Sequence, residues 1–282
     1  ILSDIGLAPV RDMTRALGIA SKMEMNLGLA LGNSEVTLAE LVRAYTSFAS
    51  GGKLIDPVFI LEVRDRSGRV IAQNVPLLAN LDGSEAPSVG QGGDETAITD
   101  ESGAELEQIM EKLRSETEAK QGEELPSDYQ LDPVSAYLMT EMLRAVVQEG
   151  TGVRVKVLGR PIAGKTGTTN NLHDAWFIGY SPEVATGVWV GYDSAHSLGT
   201  NETGGRTSAP IFIDYMRHAL RDRPVQDFPV PEGVVFARVD RATGLLARPD
   251  SADTLFLPFR EGTAPLELSP EAGAPGGALR PL

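Results

Sequence analysis

Residues 159–180 read Gly159-Arg160-Pro161-Ile162-Ala163-Gly164-Lys165-Thr166-Gly167-Thr168-Thr169-Asn170-Asn171-Leu172-His173-Asp174-Ala175-Trp176-Phe177-Ile178-Gly179-Tyr180. Two strand-like runs, Pro161–Thr169 and Ala175–Tyr180, enclose Asn170–Asp174, whose short polar side chains favour a turn. A third run, Val184–Tyr192, follows the turn residues Ser181-Pro182-Glu183. The spacing predicts an antiparallel meander.

Helices are signalled on both sides of it. Thr37 and Glu40 form a capping box ahead of a stripe of Leu38, Leu41, Val42, Tyr45 and Phe48, and Gly51-Gly52 ends that helix. Asp132 as N-cap and Pro133 at the first helical position open a second helix that runs to Gly150. Tyr137, Leu138, Met142, Leu143 and Val146 make it apolar around most of its circumference, the pattern of a buried helix. A third helix starts near Ala209-Pro210 and covers Ile211–Leu220. Pro57–Val63 and Arg69–Ala72 flank a turn at Arg66-Ser67-Gly68, and Val234–Asp240 with Leu245–Leu246 reads as a last hairpin around Thr243-Gly244. Helices and antiparallel strands segregated in this way predict an α+β fold.

Composition narrows the function. The 282 residues include no Cys, which excludes a thiol nucleophile, thiolate zinc and iron–sulfur ligation. His173, His196 and His218 stand at no metal-binding spacing, so no metal is expected. A net charge of −14 speaks against nucleic acid as a partner. Most of that charge is local, with 14 acidic residues against three basic ones between Asp82 and Asp128. That stretch reads as a solvated insertion with one short amphipathic helix around Ala104–Lys120. No apolar run approaches a membrane span.

Two readings compete for Lys165. Gly159 to Thr166 satisfies G-x-x-x-x-G-K-[ST], a phosphate-binding loop, with Val153–Val157 as its preceding strand. That chemistry needs a helix N-terminus next, and Gly167-Thr168-Thr169-Asn170-Asn171 are poor helix formers. The other reading is Lys165-Thr166-Gly167-Thr168 on an edge strand. There Lys165 supplies positive charge, and the Thr166 and Thr168 hydroxyls donate to a carboxylate next to an acyl group. Gly167 lets the substrate lie against the strand, and a backbone N–H of that strand serves as oxyanion donor. Thr169 and Asn170 extend this strand end towards the cleft rim or form the turn.

The wider text, with GRPIAGKTGTTNNLHDAWFIGYSP, ATGVWVGYD, GGRTSAPIFIDYM and LFLPFREGTAPLE in that order, closely resembles the transpeptidase domain of class A, bifunctional penicillin-binding proteins. The resemblance covers about residues 1–72 and 131–266 and departs in the acidic insertion. It implies the α+β fold of penicillin-binding proteins and serine β-lactamases, incomplete at its N-terminal side. Together with composition it divides the chain into 1–77, following an S-x-N motif; 78–131, the acidic insertion; 132–262, with the K-T-G strand and C-terminal helix; and 263–282, whose Pro/Ala/Gly-rich, aperiodic sequence reads as a disordered tail.

The resemblance further implies peptidoglycan cross-linking by serine acyl transfer. Lys165 and Thr168 are then the catalytic residues, and Lys165, Thr166, Gly167, Thr168 and Thr169 bind substrate. No cofactor is implied. The partners are peptidoglycan stem peptides, β-lactams, the N-terminal part of the transpeptidase domain and cell-wall synthesis proteins. The place is the periplasmic face of the inner membrane, reached only through an upstream anchor.

The family's S-x-N wall has no match here, and its S-x-x-K nucleophile matches only Ser50-Gly51-Gly52-Lys53. Two glycines at a helix end break the turn that would bring that Lys beside Ser50. The expectation is therefore that the nucleophile lies upstream of Ile1. Glu149 and Thr151 match a loop near the family's cleft and receive no role. Arg206 would attract an anionic peptide or pair with the acidic insertion. An inert scaffold binding wall peptides, a nucleotide binder and a stand-alone β-lactamase are the rival readings.

Overall fold

A computed structural model describes residues 1–58, 61–73, 129–194 and 196–270. Helices α1 (Leu2–Ile5), α2 (Leu7–Ala16) and α3 (Leu38–Ala49) precede a hairpin of β1 (Glu62–Arg64) and β2 (Val70–Gln73). Helix α4 (Pro133–Gln148) leads to β3 (Ala163–Thr168), β4 (Asp174–Tyr180) and β5 (Ala185–Gly191). Helix α5 (Ala209–Ala219) and the strands β6 (Val234–Asp240) and β7 (Thr254–Arg260) follow. The chain divides into two compact units, Ile1–Ile55 with Asp128–Leu282, and Asp56–Ser127.

The larger unit is built on the expected meander, an antiparallel sheet in the order β3-β4-β5. Its register pairs Lys165 with Ile178 and Gly167 with Trp176, and β5 then sets Gly187 opposite Ile178 and Trp189 opposite Trp176. Neighbouring strand residues point to opposite faces, and β4 is used on both. On one face Phe177 is fully buried and meets Phe212 of α5 with ring centroids 4.6 Å apart. Val147, Val155, Ile162 and Met216 complete that core. On the other face Ile178 and Gly187 lie under α3, so close that a Cβ on Gly187 would fall 2.5 Å from Val42. Complete burial of a side chain such as Phe177 is worth about 1.5–3 kcal/mol.

Tyr180 joins this face of the sheet to α4. Thr140 donates its hydroxyl to the Ala136 carbonyl at 2.9 Å, so the buried Tyr180 hydroxyl donates to Thr140 Oγ1 at 2.9 Å. Burial pushes the Tyr180 phenol well above its ordinary pKa.

Both expected helix caps form. Thr37 and Glu40 make the capping box of α3, and the Glu40 carboxylate also accepts from the Ala20 and Ser21 amides and, at 2.6 Å, from the Ser21 hydroxyl. The Ser21 hydroxyl is the main reason that the Glu40 pKa falls from 4.5 to about 2. Asp132 caps α4 through the Ser135 amide and also accepts from Arg260 at 2.7 Å. Helix α4 is less uniformly buried than its sequence suggests, since Met142 is 59% exposed.

Three expectations change. Val234–Asp240 pairs along its whole length with Thr254–Arg260, and the expected hairpin around Thr243-Gly244 forms only as a short second pairing, an antiparallel Val239–Leu246 bridge with the Asp240 amide donating to Leu245 and the Ala247 amide to Arg238. The partner strand contains Pro258, which tells against a strand in sequence yet is tolerated at a sheet edge. Val153–Leu158 is a 3-10 helix, not a strand. Residues 263–270 are also tied in: the Leu246 amide donates to Glu267, and the Ser269 amide donates to Leu246 at 2.8 Å. The helix expected around Ala104–Lys120, most of the 78–131 insertion and residues 271–282 lie outside the described residues.

The smaller unit shows the β1-β2 hairpin. Asp65 closes its turn by accepting from the Ser67 amide and hydroxyl and the Arg69 amide, and the Ser67 hydroxyl lowers its pKa most.

Candidate active-site wall

Strand β3 changes character halfway along. Ala163 and Gly164 are buried, whereas Lys165 and Thr168 are exposed and Thr166 and Gly167 half-buried. Alternation sends Thr166 and Thr168 to one face, and Lys165 and Gly167 to the other. The five sequence-predicted residues therefore do not share a surface.

Thr166 and Thr168 line one cleft of about 340 Å³ together with Thr151, Val153, Arg154, Thr203, Gly205 and Arg206. Thr166 Oγ1 lies 2.7 Å from Thr151 Oγ1. One hydroxyl proton joins this pair, and the other remains to be donated. Thr168 Oγ1 accepts from the Gly204 amide at 3.1 Å, which leaves its own proton available as well.

The approach of Gly204 needs a glycine. A Cβ there would sit 2.1 Å from the Trp176 carbonyl and 2.6 Å from that of Gly167. A π-helical turn, Gly204–Ser208, holds the segment in place, and Ser208 fixes it by donating to the Ala175 carbonyl at 2.7 Å.

The opposite face is different. Lys165 Nζ donates to the Thr166 carbonyl at 2.7 Å. Beside Gly167, the rings of Trp176 and Trp189 stand 6.2 Å apart, and Trp189 Nε1 donates to Asp174 at 2.8 Å. Thr169 lies outside the cleft lining and closes the turn, its hydroxyl oxygen accepting from the His173 and Asp174 amides at 3.0 and 2.9 Å. No helix follows Lys165-Thr166, because β3 continues to Thr168. The phosphate-loop reading lacks the ring of N–H groups it requires.

Ser50 stands elsewhere. Its hydroxyl donates to the Lys53 carbonyl, and the Lys53 ammonium lies 4.7 Å from the centre of the Tyr129 ring. Ser50 and Gly51 border a separate, mainly apolar cavity of about 200 Å³ lined by Phe48, Tyr129, Tyr137 and Phe228. Glu149 pairs with Arg241 at 2.9 Å and stays out of the cleft lining. Among the described residues no His, Asp or Glu cluster could hold a metal ion, and no helix is long and apolar enough to cross a membrane.

Sequence reasoning missed Arg154, Thr203 and the contribution of Thr151. Thr151 and Thr166 are 15 positions apart, and only the return of the chain through Val153–Leu158 brings them together.

Residues 17–217 match the family described as penicillin binding protein transpeptidase domain. Penicillin-binding protein 1A of Pseudomonas aeruginosa is 35% identical over 267 residues, 92% of this chain and 32% of that protein. The chain thus spans about a third of the length of this curated relative. The crystal structure of penicillin-binding protein 1A from Haemophilus influenzae superposes with a TM-score of 0.70 at 26% identity, covering 95% of this chain and 38% of the other. A Mycobacterium tuberculosis protein solved in complex with penicillin V shares the fold at a TM-score of 0.54 and 22% identity, over 80% of this chain and 53% of its own. An antiparallel meander whose first strand ends in Lys165-Thr166-Gly167-Thr168, helices on both of its faces and a family match over most of the chain lead to one assignment: the chain belongs to the penicillin-binding protein transpeptidase family.

Proposed function

We propose that this chain supplies the carboxylate-recognising wall of a serine-type D-Ala-D-Ala transpeptidase that cross-links peptidoglycan on the outer face of the bacterial inner membrane. The acylating serine, the S-x-N wall and the membrane anchor belong to sequence upstream of Ile1. In the intact enzyme that serine attacks the carbonyl between the two D-Ala residues of a stem peptide. The C-terminal D-Ala departs, and the acyl group passes from the serine to an amine of a second strand. Lys165 adds positive charge at the edge strand, and the Thr168 backbone N–H is the oxyanion donor. Gly167 keeps the strand surface clear for the substrate backbone. β-Lactams enter as mimics of D-Ala-D-Ala.

The observation that carries this reading is a pair of free hydroxyl protons lining one cleft beside an exposed strand edge, one on Thr168 and one left over from the Thr151–Thr166 pair. Hydroxyl donors in that setting suit a carboxylate, which only accepts. The test is the second-order rate of acylation by benzylpenicillin, measured on the protein that includes the upstream sequence. Thr168→Val and Thr166→Val are each expected to slow it by about 10-fold or more, the cost of a hydrogen bond to a charged group, while Thr168→Ser retains most of it. Acylation at the unmodified rate in both Val variants would contradict the reading.

A further inference from the structure

The cleft holds more positive charge than one carboxylate needs. Its two hydroxyl protons and a single bidentate guanidinium already match the acceptor capacity of a carboxylate. Yet both Arg154 and Arg206 line it. Neither guanidinium has a hydrogen bond or ion pair among the described residues. Two other exposed arginines of this unit are paired, Arg241 with Glu149 and Arg260 with Asp132; what sets Arg154 and Arg206 apart from the rest is that they share one cleft with Thr166 and Thr168. Both cleft arginines stand on short, constrained turns, Arg154 on the 3-10 helix Val153–Leu158 and Arg206 on the π-turn Gly204–Ser208. Both line the cleft beside the threonines, with no counter-ion among the described residues.

Resting on the transpeptidase reading, we infer that Arg154 and Arg206 determine the choice of acyl acceptor, selecting an amine that stands next to a carboxylate. The argument is one of reversibility. Attack by the acceptor is the reverse of departure of the leaving amino acid, so both pass through the same place. The first half-reaction carries the substrate carboxylate away with the D-Ala it belongs to. The cleft lined by Arg154, Arg206 and the threonines is then an unoccupied anion site beside the acyl-enzyme. A zwitterionic acceptor fills that site through its carboxylate, and its amine is held where the departing amine stood. The amine nitrogen then bonds to the acyl carbon of the seryl ester, the bond from that carbon to the serine Oγ breaks, and the amine proton ends on the serine oxygen. Water and a simple amine bring no anion and gain nothing from the arginines. Arg154 and Arg206 act here as specificity-determining residues, touching the acceptor carboxylate and not the reacting atoms.

The experiment is a competition in the full-length protein. The enzyme is acylated from a thioester of an N-acyl-D-alanine, and D-alanine and D-alaninamide compete for the acyl group, with the two products counted by mass. The unmodified protein is expected to prefer D-alanine. Arg154→Gln and Arg206→Gln are each expected to reduce the product ratio about 10-fold, the range of one charge-assisted hydrogen bond, with Arg206→Lys intermediate. A ratio unchanged in both Gln variants would overturn the inference while leaving the transpeptidase reading in place. No acylation of the unmodified protein by the thioester or by penicillin would overturn both.

If the Gln variants fail to fold, the unmodified protein supplies a second readout. Its ratio is expected to fall as salt rises from about 0.05 to 0.5 M, because exposed charges are then screened. A ratio independent of salt would count against the inference.

Discussion

The two halves of β3 belong to one continuous strand and do opposite work. Ala163 and Gly164 lie buried against β4, where a Cβ on Gly164 would come within 2.9 Å of the Ile178 carbonyl and 3.0 Å of the Phe177 ring. Lys165 to Thr168 leave that packing and present a charge and two hydroxyls to solvent. Backbone pairing is continuous through both halves, Ala163 to Tyr180 at one end and Thr168 to Ala175 at the other. The comparison teaches that rigidity at the site is borrowed. A close-packed half-strand, locked on both faces, holds the exposed half in place without covering it.

That contrast predicts a steep gradient of stability effects. Phe177→Ala, which removes the ring under the anchored half, should destabilise the protein by about 3–5 kcal/mol in chemical denaturation. Gly204→Ala crosses from one region to the other, because its new Cβ would press on the carbonyls of Trp176 and Gly167. It should cost about 1–3 kcal/mol, as overpacking does, and it should also slow penicillin acylation by displacing the amide that holds Thr168. Wild-type acylation by Gly204→Ala would show that the Gly204–Thr168 contact does not position the site.

Glu40→Ala should cost about 1–2 kcal/mol at neutral pH through loss of the cap and of the Ser21 contacts. The folded pKa of Glu40, about 2, lies below its ordinary value of 4.5. Its stabilisation is therefore present above pH 4.5 and is lost as the pH falls towards 2. The gap between wild type and Glu40→Ala should narrow over that window, and a constant gap would contradict the assignment. At the other end of the scale, Thr166→Val should change stability by no more than about 0.5 kcal/mol, since its hydrogen bond to Thr151 is exposed. A loss comparable to Phe177→Ala would erase the distinction between anchor and site.

The packed framework around the anchored half is readable because each signal is local. Thr37 and Glu40 are three positions apart, Asp132 and Pro133 are adjacent, and the meander is bounded by turn residues. Thr166 and Thr168 were readable from the K-T-G-T spelling. The rest of the cleft was not, for physical reasons. Val153-Arg154-Val155-Lys156-Val157 alternates like a strand, but Gly152 and Gly159 bracket it as a 3-10 helix, and only that shape brings Arg154 beside Thr166. Arg206 was visible as a charge, but not as a neighbour of Arg154 some 50 positions away. Pro258 hid β7, since loss of one N–H matters less where the strand has a single partner.

The most direct measurement is mass spectrometry after exposure to excess benzylpenicillin, on the 282-residue chain and on the protein that includes its upstream sequence, followed by peptide mapping. The account predicts no covalent adduct on the 282-residue chain, and one stoichiometric adduct on the longer protein, mapped to a serine before Ile1. A stoichiometric adduct on the shorter chain, above all at Ser50, would contradict it.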